Sequence, residues 1–304
     1  MIRENVSLAP FTSWQVGGPA EFYAEPTTEA ELEQVLRYAV QQNLPITILG
    51  GGTNVLIADE GIRGLVLCLR KFSGMKVSEV NNRLEMEALA GTPKSELLKT
   101  FLKNRLEPAL FLAGLPGDIG GGVVMNAGVG EAFEPREFVE ITDRVEVWRW
   151  SEQKSEQKQP LIEKLSFTRE ELAWSYRHCE GWKPGLIAKV WLSWPLEVKP
   201  DILERVKNAN RTRLTKQPLD MPSCGSVFVN PPGDKSGRLI EAAGLKGFAI
   251  GGAAVSTKHA NFIVNQGGAS ARDIRAVIAH VQDTVLKQFG VALKTEVILM
   301  GWTR

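Results

Sequence analysis

Two glycine-dense stretches constrain this chain of 304 residues more than anything else in it. The first, Gly50-Gly51-Gly52-Thr53-Asn54, directly follows the apolar run 46–49, which Pro45 introduces and which reads as a buried strand. Three adjacent glycines let a backbone approach a ligand closely and aim several N–H groups the same way, a geometry that suits a diphosphate. A tight turn that binds nothing explains this motif alone equally well. The second stretch runs from Gly114-Leu115-Pro116-Gly117-Asp118-Ile119-Gly120-Gly121-Gly122 to Met125-Asn126-Ala127-Gly128. Packing alone seldom uses so many glycines, and two such loops in one domain fit a long dinucleotide better than a mononucleotide. Neither contains G-x-G-x-x-G, and the chain has no G-x-x-x-x-G-K-[ST] loop, which counts against a Rossmann domain and against nucleotide hydrolysis.

The surrounding pattern predicts a mixed α+β chain. Residues 26–43 read as an amphipathic helix, with Thr28 and Glu31 as a capping box and Val35, Leu36, Ala39 and Val40 on one face. A strand is expected at 65–69, a helix at 94–103, a strand at 186–194 ending at Pro195, and a helix at 201–215. Ser270 is placed to cap a last helix carrying Ile274, Val277, Ile278, Val281 and Val285. The duplication SEQKSEQK at 151–158 reads as a solvated loop between strands.

Charge narrows the partners. With 36 basic and 35 acidic residues the formal net charge is +1, so no broad polyanion surface is expected and an anion must be held by a few local cations. No stretch approaches the length of apolar chain that spans a bilayer, and no signal-peptide core is present, so a cytoplasmic protein without membrane or nucleic-acid partners is expected. Cys68, Cys179 and Cys224 are odd in number and far apart, and read as reduced thiols. The three histidines show no metal-ligand spacing, so no metal is expected.

The segments TSWQVGGPA (12–20), ILGGGTNVLIADEGIRGLVL (48–67), GLPGDIGGGVVMNAG (114–128) and GSVFVNP (225–231) together resemble the UDP-N-acetylenolpyruvoylglucosamine reductase family. The likeness covers nearly the whole chain and is loosest at Asp118 and over 129–165. It implies an FAD-binding domain of the vanillyl-alcohol-oxidase type at 1–196, in two subdomains of about 1–70 and 71–196. A smaller α+β substrate domain follows at 197–290, and a C-terminal segment, 291–304, returns to the active site. FAD would be held by Gly50, Gly51, Gly52, Thr53, Asn54, Gly114, Pro116, Gly117, Gly121, Gly122, Asn126 and Ala127. The family pattern implies Arg177, Ser226 and Glu296 as catalytic residues, with Ser226 the proton donor. Tyr176, Arg213, Lys216, Asn230, Arg238 and His259 would bind the UDP-sugar. NADPH is the implied reductant, and a monomer is expected. Cys179 stands where a small hydroxyl residue is commoner, and Ile298 where an arginine is frequent. The compact substrate domain suggests the form without an extra tyrosine-bearing loop.

Without the resemblance these residues have plainer readings: Ser226 a turn serine, Arg177 an ion-pair partner, Glu296 a surface carboxylate, Lys216 a solvated cation. Three alternatives stand beside the reductase. A different flavin oxidase on the same scaffold explains residues 12–128 and leaves GSVFVNP without purpose. A nucleotide-binding protein that has lost catalysis leaves Arg177, Ser226 and Glu296 unexplained. A cysteine nucleophile, Cys179 or Cys224 with His178 or His259, lacks a nucleophile motif.

Overall fold

The computed structural model describes residues 2–129, 134–151 and 161–302. All but the first residue of the 151–158 duplication lies outside the described residues. The chain divides into two compact units. One is residues 1–3, 22–51 and 64–210; the other is 4–21, 52–63 and 211–304. Two short N-terminal stretches, 4–21 and 52–63, thus group with the C-terminal third.

The first unit is built on a five-stranded antiparallel sheet in the order Met75–Val80, Arg83–Leu89, Leu186–Pro195, Thr142–Ser151, Leu161–Thr168. The central strand, Leu186–Pro195, is the apolar run expected at 186–194, and Pro195 sits at its last paired position, opposite Arg83. That placement suits a residue without an N–H, since a strand end has no further ladder to supply. Helices Lys94–Lys103 and Ile119–Val124 bury Leu97, Phe101, Ile119 and Val123 with Met86, Val145 and Val190 of the sheet in one core.

A second core in this unit lies under helix Glu29–Gln41, which buries Leu32, Val35, Leu36 and Ala39. Strand Ile46–Leu49 runs parallel to Ile62–Cys68, with Ile46 opposite Leu65 and Leu49 opposite Cys68. The helix begins as the sequence predicts, with the Thr28 hydroxyl accepting the Glu31 amide at 3.2 Å. The return half of the box differs. The Glu31 carboxylate takes the amide and the hydroxyl of Thr27, both at 2.7 Å, in place of the Thr28 amide. Thr27 offers two donors where Thr28's amide offers one.

The second unit packs helices Ser236–Ala242 and Ala271–Phe289 with a three-stranded antiparallel sheet, Ala249–Ile250, Ala253–Val255 and Ile263–Asn265. The long helix has the complete box that Ser270 announces: its hydroxyl accepts the Asp273 amide, and the Asp273 carboxylate accepts the Ser270 amide. Ile274, Val277, Ile278, Val281 and Val285 are fully buried. At about 1.5–3 kcal/mol each, their burial outweighs any single cap or ion pair in the helix. Trp14, from the N-terminal stretch, joins this core. Its indole N–H donates to the Ile263 carbonyl at 2.7 Å, and Asn265 Nδ2 donates to the Trp14 carbonyl at 2.9 Å. Strand Val55–Ile57 pairs in parallel with Ile298–Met300. Among the described residues, no helix is long and apolar enough to cross a membrane.

Candidate functional site

In the first unit the two glycine stretches lie against each other. A Cβ on Gly51 would stand 2.8 Å from the Cα of Gly117, closer than side chains tolerate, so the two backbones touch only because neither position bears a side chain. Beneath them, a Cβ on Gly122 would enter the Phe138 ring at 2.4 Å. Arg70 ties down the first loop by donating to the Gly51 carbonyl at 2.6 Å. Asp118 starts helix Ile119–Val124, its Oδ1 accepting the Gly121 amide at 2.9 Å, while its Oδ2 is buried with no hydrogen-bond partner. Lys94, on the first turn of its helix, is also buried. Desolvation pulls its ammonium down to about 8, and Asp118 partly opposes that fall. Close-packed glycine backbones and a buried cation fit an anionic group such as the diphosphate of FAD, while the Asp118 carboxyl oxygen fits it only as a protonated donor.

Asn126 departs from its expected use. Its side-chain nitrogen donates to Glu137 Oε2 at 2.9 Å and to the Ser175 carbonyl at 3.1 Å, and its Oδ1 accepts the Val139 amide at 3.0 Å. The side chain therefore serves the protein itself, and the backbone is committed as well: the Asn126 and Ala127 amides donate to the Val123 and Gly122 carbonyls, and the Ala127 carbonyl accepts the Phe138 amide. Glu137 in turn receives Arg177 Nη1 at 3.1 Å, and Arg177 Nη2 donates to the Gly128 carbonyl at 2.9 Å. Tyr176 and Arg177 form the two-residue turn between paired strands Trp174–Ser175 and His178–Cys179. The left-handed φ of +58° at Arg177 folds its guanidinium to 4.7 Å over the half-exposed Tyr176 ring. The side chains of Arg177 and Glu137 are only 11% and 16% exposed. Cofactor loop, Glu137 and Arg177 thus form one hydrogen-bonded chain.

In the second unit Ser226 and Glu296 lie on neighbouring backbone segments. Phe228 bridges Thr295 in antiparallel fashion, the Glu296 amide donates to the Val227 carbonyl at 2.8 Å, and the Val229 amide donates to the Lys294 carbonyl at 3.1 Å. Gly225, at φ +76°, makes the turn into Ser226. Asn54 clamps the other side of Glu296: its Nδ2 donates to the Glu296 carbonyl and its own carbonyl accepts the Ile298 amide, both at 3.0 Å. Ile298 therefore serves strand pairing through its backbone while its side chain stays exposed.

The expected substrate ligands are scattered in their commitments. Lys216 is exposed at the end of helix Ile202–Lys216, while Arg213 Nε donates to Gln217 Oε1 at 2.6 Å. Asn230 Oδ1 accepts the Ser236 amide at 3.1 Å, and Arg238 pairs with Asp234 one turn away. His259 Nδ1 accepts the Asn261 amide at 3.2 Å, and burial lowers its pKa, so the ring is held neutral with its proton on Nε2. The cysteines offer no nucleophile. Burial pushes Cys179 and Cys224 each up to about 12, their thiols face the Leu172 and Val55 carbonyls, and His178 pairs with Glu180. A thiol at 12 is protonated at neutral pH. Among the described residues, no group of three His, Cys, Asp or Glu side chains can hold a metal ion.

Three residues escaped the sequence reading: Lys94, Asp118 as a buried acid, and Glu137. Lys94 reads as an ordinary polar first-turn residue of a helix, and Glu137 lies 40 positions from the arginine it holds. Asp118 had a signal, a capping aspartate three residues before Gly121.

Comparison with known proteins covers both units. Residues 20–151 match a family described as an FAD binding domain, and residues 217–300 match the C-terminal domain of UDP-N-acetylenolpyruvoylglucosamine reductase. The reductase of that name from Synechococcus sp. (strain WH7803) is 42% identical over 99% of this chain and 94% of its own length. That from Pediococcus pentosaceus is 39% identical over 99% and 94%. The crystal structure of the Thermus caldophilus reductase superposes with a TM-score of 0.76 at 30% identity, covering 99% of this chain and all of that one.

Proposed function

Because the chain belongs to the UDP-N-acetylenolpyruvoylglucosamine reductase family, we propose a division of labour among its side chains for that family's reaction. It is an FAD-dependent oxidoreductase that uses NADPH to reduce UDP-N-acetyl-3-O-(1-carboxyvinyl)-glucosamine to UDP-N-acetylmuramate in peptidoglycan synthesis. The observation that carries this reading is the joint match of cofactor and reductase segments across nearly the whole chain. The same match answers the oxidase alternative, which has no use for residues 217–300.

The substrate's vinyl carbon lies β to a carboxylate and accepts hydride by conjugate addition. Bound FAD supplies hydride chemistry between NADPH and this carbon. Negative charge then builds on the substrate carboxylate, giving an enediolate. Arg177 is the cation for it, a planar fork that grips a carboxylate with two bonds, already oriented by Glu137 and Gly128. Preorganised donors of this kind contribute roughly 3–4 kcal/mol each in a dry site. Ser226 delivers the proton to the α-carbon. Glu296, held by Asn54 and Val227, is the carboxyl partner in that step. Lys216, Asn230, Arg213, Arg238, His259 and Tyr176 bind the UDP-sugar. His259 contributes a neutral Nε2–H donor, and Asn230 keeps its Nδ2 while Oδ1 holds Ser236. We further propose that FAD is held by residues 1–196 and substrate by 197–290, in a cytoplasmic monomer; the net charge of +1 offers no polyanion surface.

An anaerobic titration tests the function. NADPH bleaches the flavin absorbance and the enolpyruvyl sugar nucleotide restores it; oxygen consumption with an alcohol and no need for NADPH would overturn the assignment. FAD is expected to be non-covalent, because neither glycine loop carries a His or Cys for a tether. After denaturation and filtration the flavin passes through; flavin retained on the polypeptide contradicts this. Lys216, exposed and remote in role from the reacting carbon, binds ground and transition states alike. Lys216→Ala should therefore raise KM for the sugar nucleotide with kcat nearly unchanged. A large fall in kcat at constant KM would move Lys216 into the catalytic group.

A further inference from the structure

The carboxyl group of Asp118 occupies the place where the two glycine stretches meet. Oδ1 holds the Gly121 amide at 2.9 Å. From the other loop, the Gly51 backbone favours the charged form of the same carboxyl. Oδ2 is buried without a partner and would lie 2.7 Å from a Cβ on Gly50. An anion placed on these loops would therefore share its donors with a fixed carboxyl group. Two like charges in a dry site cannot both be ionised without a large cost.

The charged groups around Asp118 are few. Lys94 faces it from helix Lys94–Lys103, with Nζ 5.7 Å from the Phe138 ring centre and no carboxylate within ion-pair distance among the described residues. Arg70 donates to the Gly51 carbonyl on the other loop. Residues 50–52 and helix Ile119–Val124 contain no titratable side chain. Elsewhere on Lys94's helix, Glu96 is engaged by Lys99 at the surface.

We propose that Asp118 binds the FAD diphosphate as a neutral carboxylic acid, with Oδ1 keeping the Gly121 amide and Oδ2–H donating to a phosphate oxygen. This rests on reading the two glycine loops as the diphosphate cradle. The orphaned oxygen is then the proton carrier, and the second negative charge is removed from the site. Desolvation already raises the Asp118 pKa, which favours the neutral form. A carboxylate that is ionised in the empty site takes up a proton from solvent as FAD binds. FAD affinity is then greatest at low pH and weakens as pH rises between the free-site and bound-site pKa values.

The test uses the holoenzyme and three variants. Infrared difference spectra of wild type against Asp118→Asn at neutral pH should show a protonated carboxyl C=O band that shifts in deuterium oxide. An ionised carboxylate pair of bands in its place overturns the proposal. FAD dissociation constants, measured by flavin fluorescence across neutral to alkaline pH, should weaken in wild type by up to about tenfold per pH unit. The Asp118→Asn profile should be flat, since asparagine keeps the helix cap but has no proton to exchange. Lys94 titrates near the same range, so Lys94→Met is the control. A slope that persists in Lys94→Met supports Asp118; one that vanishes in Lys94→Met but survives in Asp118→Asn assigns it to the lysine and sinks the proposal. Gly51→Ala separates the premise: if its added Cβ leaves FAD affinity untouched, the cradle reading itself fails, whatever the pH profile.

Discussion

Ser226→Ala should slow restoration of flavin absorbance by the enolpyruvyl substrate by about 10²–10⁴-fold, the range typical of a lost general acid. Bleaching by NADPH should stay near the wild-type rate, because hydride transfer from a nicotinamide requires no protein proton donor. The structure makes this a clean substitution. Ser226 is half-buried after the Gly225 turn, and the next residue is fixed by two backbone bonds: the Val227 amide donates to the Asn261 carbonyl and the Glu296 amide to the Val227 carbonyl. Among the described residues no hydrogen bond engages the Ser226 hydroxyl, so removing it leaves the turn intact. A serine is a weak acid, so under the proposed roles the species it protonates would be a basic enediolate. Ser226→Cys should keep part of the activity, since a thiol also donates. Stopped-flow absorbance separates the two half-reactions. Equal slowing of both would show that Ser226 positions ligands and does not deliver the proton.

Glu137→Ala should be the second damaging change, and it should act in two measurable ways. It removes the acceptor for Arg177 Nη1 and for Asn126 Nδ2 together, inside a network whose side chains are mostly buried. Breaking a buried ion pair from one side costs about 3–5 kcal/mol, so the melting temperature should fall by several degrees. Arg177 would also lose one of the anchors that fix its guanidinium. A displacement of about 1 Å in such a group can cost about 10²-fold in rate. The substrate half-reaction should slow by that order, with bleaching by NADPH much less affected. Glu137→Gln retains an acceptor for Arg177 and should recover part of the rate. A variant that melts early but turns over normally would restrict Glu137 to stability.

The two stretches that carry the cofactor reading were legible because glycine excess is a local property. So were the helices: the Ser270 cap, the burial of Ile274, Val277, Ile278, Val281 and Val285, and the Lys94–Lys103 stripe all depend on residues within a turn or two of each other. The roles proposed for Arg177, Ser226 and Glu296 rest on matched motifs. Nothing in the local sequence distinguishes Ser226 from any serine after a glycine. The cysteine alternative, which already lacked a nucleophile motif, is weakened further in three dimensions, where Cys179 and Cys224 are buried against backbone carbonyls.

By itself the sequence determined the α+β composition, the positions of the two glycine stretches, and the family. The tertiary structure alone decided that residues 4–21 and 52–63 join the C-terminal third in one unit. It also decided that Asn54 grips Glu296 across 242 positions, and that Asn126 turns inward to Glu137 and so to Arg177. The physical reason is range. Caps, turns and amphipathic faces are fixed by neighbours along the chain, and their residues announce them. A hydrogen bond between distant segments forms only after the cores have closed and desolvated both partners, and neither residue type records in advance which partner it will meet.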